Sequence, residues 1–163
     1  MTLPELNTLD RAGFVHAIGW VFEHSPWVAE RAWQKRPFLT IEDLHGAMVA
    51  QVEGASPEER LTLLQAHPDL GTRARISPAS TGEQAGTGLD RMTPQEFDTL
   101  QRLNSAYRAK FGFPFLFAVK GATKDDVLQA LECRLNASRE SEYREALNQI
   151  SRIAQFRLQE LFG

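Results

Sequence analysis

Twice in this chain, at Ser56-Pro57-Glu58-Glu59 and Thr93-Pro94-Gln95-Glu96, a hydroxyl residue is followed by proline and, three positions on, by glutamate. The hydroxyl accepts an orphan amide of the first helical turn, and the glutamate reaches back to the cap's own N–H. The proline presets φ where no donor is needed. A chain punctuated in this way is committed to helices, and its apolar spacing agrees. Phe14, Val15, Ile18, Val21 and Phe22 recur at helical intervals behind a cap at Asp10, and Val28, Ala29, Ala32 and Trp33 form a shorter set stopped by Pro37. Thr40 caps a helix with Ile41, Leu44, Met48 and Val52 on one face, and the helix opened by Ser56 spans about 57–66, because the residue before Pro68 avoids helical geometry. Phe97, Leu100, Leu103, Asn104 and Tyr107 line a helix running to about 110. Thr123 caps another with Val127, Leu128, Leu131 and Leu135. A last one over about 140–161 carries Tyr143, Leu147, Ile150, Ala154, Leu158 and Leu161. With no repeat and no dividing linker, the expectation is an all-α, compact single-domain bundle of about seven to nine helices over residues 1–163.

Bulk properties remove several classes of function. A formal net charge of -3 leaves no broad basic face for nucleic acid or anionic lipid. The longest apolar run, near 111–119, is too short to span a bilayer. Cys133 is the only cysteine, which rules out an internal disulfide and a cysteine-cluster metal site. No histidine pair has the His-x-x-x-His spacing of a helical zinc site, so no metal is expected. The first residues lack a basic region followed by an apolar stretch, and the chain does not end in a peroxisomal address; a cytoplasmic location is expected.

Two regions resist the helical pattern. Residues 67–92 contain Gly71, Pro78, Gly82, Gly86 and Gly88. Residues 111–119 have strand-like composition with no strand partner elsewhere, and their glycine and proline make a poor helix. They read as a buried extended segment whose peptide groups must find other partners. Those partners are either neighbouring side chains and water or the urea-like edges of a planar ligand.

Three constellations can carry chemistry. His67, in His67-Pro68-Asp69-Leu70-Gly71, stands where a helix ends, so it either transfers protons near neutral pH or caps carbonyls favoured by the helix dipole. Ser80-x-x-Glu83-Gln84 is either a capping box or a way to set a hydroxyl, a carboxylate and an amide around a pocket beside a histidine. Arg157 continues the apolar row Ala146, Ile150, Ile153, and must snorkel outward or meet an anion.

Together these pieces resemble one family, the 2-oxo-4-hydroxy-4-carboxy-5-ureidoimidazoline (OHCU) decarboxylases. The resemblance rests on His67-Pro68-Asp69-Leu70-Gly71, on Ser80-x-x-Glu83-Gln84 followed by Gly88-Leu89, and on Asn104-x-x-Tyr107-x-x-Lys110-Phe111-Gly112-Phe113-Pro114-Phe115. Ile153-Ala154-x-x-Arg157-Leu158 completes it. It implies an all-helical, usually dimeric enzyme with no metal and no organic cofactor, acting on a small ureidoimidazoline. His67 would be the acid–base group with Glu83 working beside it. Ser80, Gln84 and Arg157 would hold substrate and Pro68 would shape the wall. The backbone of Phe115, Leu116, Phe117, Ala118 and Val119 would bind the ring and ureido edges. Two rival readings are a metal-free hydrolase or lyase on another ureido compound, and a helical interaction module docking a partner through Phe113, Phe115 and Phe117.

Overall fold

The computed structural model describes residues 1–71 and 78–163, whose contacts group into two compact units: Met1–Ala66 with Ser151–Gly163, and His67–Ile150. Among the described residues the regular structure is entirely helical, as expected, and no helix is long and apolar enough to cross a membrane.

The first unit begins with a helix that the apolar pattern does not announce, α1 (Leu3–Thr8). Its start is nonetheless written in the same grammar as the others: Thr2 accepts from Glu5 N–H, the Glu5 side chain returns to Thr2, and Pro4 sits in the first turn. Asp10 caps α2 (Arg11–Ile18) by accepting from Gly13 N–H. Val21 and Phe22 lie beyond the end of α2 and are still buried, so they pack as part of a turn. α3 (Trp27–Ala32) runs into a 3-10 turn at Trp33–Lys35 before Pro37. α4 (Ile41–Glu53) and α5 (Pro57–Gln65) start from reciprocal boxes at Thr40/Asp43 and Ser56/Glu59. Leu6, Phe14, Ile18, Val28, Leu44, Met48 and Leu63 are fully enclosed and form this unit's core.

The second unit holds α6 (Pro78–Thr87), α7 (Pro94–Phe111) and α8 (Lys124–Arg134), with boxes at Thr93/Glu96 and Thr123/Asp126 opening the last two. Gly112, at φ +81°, ends α7 in the left-handed conformation that a side chain disfavours, and its N–H returns to Arg108 C=O. Residues 113–119 then form neither helix nor strand, and all but half-buried Phe117 are buried. α9 (Arg139–Phe162) gives its first half to this unit and its end to the other. Its enclosed face is not quite the predicted stripe. Glu142, Ala146, Gln149, Ile150, Ala154, Arg157 and Leu158 are buried, whereas Tyr143, Leu147 and Leu161 are only partly so. Polar residues occupy the inner face, a pattern that hydrophobic periodicity cannot find.

Candidate functional site

Ten of the eleven expected site residues lie in the second unit. His67 follows directly on the end of α5 and is 5 % exposed; Pro68 is half-buried. The capping explanation of Ser80 fails, because α6 already begins at Pro78 and Ser80 sits inside its first turn, buried. Gly86, expected to interrupt this helix, lies within it. Ser80, Gln84 and Thr87, spaced four and three apart, are the buried residues of one α6 face, and Glu83 stands half-buried beside them.

The segment after His67 is joined to that face by a hydrogen bond from Gly71 N–H to Gln84 Oε1, 2.8 Å long. Gly71 has φ +73°, and a methyl group there would collide with Leu100 Cδ2 and stand 2.8 Å from Met92 Cε. Those two atoms are ends of flexible side chains, so it is the left-handed backbone that favours glycine here. A backbone N–H can only donate, so the Gln84 amide must turn its oxygen to Gly71. Its nitrogen has no partner among the described residues.

The segment at 115–119 is held from one edge by side chains of α8 and α9. Arg134 Nη1 donates to Leu116 C=O at 2.6 Å, and Ala118 N–H donates to Gln149 Oε1 at 2.8 Å. Both anchors are themselves fixed. The Gln149 amide nitrogen donates to Glu145, and Arg134 is paired with the buried Glu142 carboxylate, which also accepts the Tyr107 hydroxyl. Burial first, and then the bond to Glu142, hold the Tyr107 phenol well above its ordinary value, so it stays a neutral donor. The N–H and C=O of Phe115 and Phe117 have no hydrogen-bond partner among the described residues. Phe113 and Phe115 are 1 % exposed, and their rings meet Tyr107 edge-on with centroids at 6.1 Å and 5.4 Å. Rings packed into a core are not a docking surface, which removes the interaction-module reading.

Arg157 is the eleventh residue and belongs to the first unit. At 2 % exposure it does not snorkel; it meets an anion within its own unit, Glu23, at 3.0 Å, and Val21 C=O at 3.2 Å. Glu23, Arg134, Glu142 and Gln149 are the polar residues that sequence reasoning missed. Three of them are visible in retrospect as polar residues interrupting apolar surroundings: Glu23 after Val21-Phe22, and Glu142 and Gln149 in register with Ala146.

A family model described as OHCU decarboxylase matches residues 7–159. The chain belongs to the OHCU decarboxylase family. It is 48% identical over 163 residues to the 2-oxo-4-hydroxy-4-carboxy-5-ureidoimidazoline decarboxylase of Haloferax volcanii, covering 100% of this chain and 97% of that one. To the decarboxylase of the same name from Halalkalicoccus jeotgali it is 47% identical over 161 residues, 99% of this chain and 92% of the other. Among solved structures, a crystal structure of (S)-allantoin synthase superposes with a TM-score of 0.82 at 34% identity, over 99% of this chain and 54% of that one. The match to this family spans both units, and so includes the ends of the chain that carry Glu23 and Arg157.

Proposed function

We propose that this protein decarboxylates OHCU to (S)-allantoin in urate breakdown, with the whole chain serving as one decarboxylase domain. The observation that carries the reading is the near full-length likeness to proteins of that name, together with a buried histidine on a segment pinned to the helix that bears Ser80, Glu83 and Gln84.

The chemistry explains why such a site suffices. Loss of CO2 leaves an electron pair on carbon, which commonly calls for a cofactor to take it up. In OHCU the carbon bearing carboxylate and hydroxyl adjoins a ring C=N bond. As the bond to CO2 breaks, its electrons form a carbon–carbon double bond and the imine nitrogen takes a proton. The enol then loses its hydroxyl proton while the former imine carbon gains one, giving the allantoin carbonyl and its stereocentre. The protein has to orient the ring, strip water from the carboxylate and deliver that proton to one face. His67, steered by Glu83, carries the proton transfers. Ser80, Gln84 and Arg157 hold the polar edges of the substrate, Pro68 shapes the wall, and the peptide groups of residues 115–119 bind the ring and ureido group. The enzyme works without metal or organic cofactor, in the cytoplasm, as a homodimer.

The test follows allantoin optical activity after enzymatic oxidation and ring opening of urate. Wild-type protein should accelerate its appearance, and His67→Ala or Glu83→Ala should remove about 10²–10⁴-fold of the rate while circular dichroism stays helical. Both folded variants turning over at the wild-type rate would overturn the assignment of these residues. Wild-type protein performing no better than buffer would overturn the activity itself.

A further inference from the structure

We propose that Asn104 is a positioning residue for His67, acting through a row of α7 side chains that grips the segment carrying the histidine. This rests on the reading of His67 as the proton-transfer group.

Leu100, Asn104 and Arg108 are spaced four apart on α7 and so form one row along the helix. Each engages a different residue of the segment after His67, in reverse order. Arg108 Nη2 pairs with Asp69 Oδ1 at 3.2 Å, Asn104 Nδ2 donates to Leu70 C=O at 2.9 Å, and a methyl of Leu100 packs against Gly71. The Leu70 carbonyl and the Gly71 N–H belong to one peptide group. Asn104 from α7 takes its oxygen, and Gln84 from α6 takes its hydrogen. That peptide group is therefore clamped on both edges by buried amides, 2 % and 7 % exposed.

The clamp matters because residues 67–70 have no ladder or helix to hold them. A peptide group inside the protein must be satisfied, and here its partners also fix its plane. From Leu70 the chain reaches His67 within roughly 10 Å, so a shift at the clamp is passed to the imidazole with little slack. A displacement of about 1 Å at a reacting group can cost on the order of 10²-fold in rate. The Asn104 orientation is itself forced, since only its nitrogen can serve the Leu70 carbonyl.

The experiment compares wild type, Asn104→Leu and Arg108→Ala in steady-state decarboxylation and in imidazole NMR titrations, with the His67 signal assigned by its loss in His67→Ala. Asn104→Leu should lower kcat by tenfold or more, leave KM within about threefold, and move the His67 ring signal and its titration midpoint while those of His45 stay in place. Arg108→Ala removes only a half-exposed contact, so this variant should fold. It should show the same pattern at smaller size, and it decides the matter alone if Asn104→Leu does not fold. A folded variant with unchanged kcat, or with an unmoved His67 titration, overturns the positioning role. If His67→Ala instead turns over as fast as wild type, the proton-transfer reading fails and this inference falls with it.

Discussion

Arg157 shows what one residue can be made to do inside a fold. Its guanidinium is buried in the first unit against a buried Glu23 carboxylate, with carbonyls of the turn after α2 taking further donors. Removing one partner of such a pair strands the other charge away from water, which typically costs about 3–5 kcal/mol, whereas replacing both by apolar groups is often neutral. Arg157→Ala should therefore lower unfolding stability by about that amount in urea titrations, and Arg157→Met combined with Glu23→Leu should recover most of it. A loss below about 1 kcal/mol in the single variant would show that the pair is not structural. If the recovered double variant is folded yet inactive, the arginine also serves the substrate. The sequence made Arg157 visible because a cation in an apolar row is locally anomalous. It did not reveal Glu23, because that pairing is set by tertiary contact between residues 134 positions apart.

Helices with capped starts were legible almost to the residue, since a capping box is decided by four neighbouring side chains and no tertiary information. The α1 helix was readable by the same rule at Thr2 and Glu5, but its six residues are too short to display a periodicity. The irregular segment after α7 was recognisable as lacking a sheet partner; what satisfies it was not, because Arg134 and Gln149 arrive from α8 and α9. Those two anchors lead to a testable consequence for the element. Gln149→Leu leaves the Ala118 N–H without its acceptor and lets the segment turn. The variant should bind allantoin at least tenfold more weakly by calorimetry, a loss of about 1.4 kcal/mol. Exchanging the pair as Glu145→Gln with Gln149→Glu keeps an acceptor for Ala118 and a donor–acceptor contact along α9, and should restore affinity. Unchanged binding in a folded Gln149→Leu variant would mean that the segment needs no support from α9.

At the scale of the whole molecule, three carboxyls held below their ordinary value share one architectural place. Glu5, Glu59 and Glu96 each close a capping box at a helix start. The main cause is the Thr2 backbone N–H for Glu5, Arg31 for Glu59 and Lys124 for Glu96. A depressed carboxyl contributes stability that is present above its unfolded value, near 4.5, and is lost as pH falls through the folded value. Thermal melting should therefore drop between about pH 5 and pH 3, and the combined Glu5→Gln, Glu59→Gln, Glu96→Gln protein should show a flatter fall over that window. Equal slopes would place the acid sensitivity elsewhere. The division of the chain has a different kind of consequence. The first unit is assembled from both ends of the sequence, with Glu23 and His45 meeting Arg157 and Ser151. On the ribosome, the contacts that Glu23 and His45 make with the last helix therefore form only once the end of the message has been read.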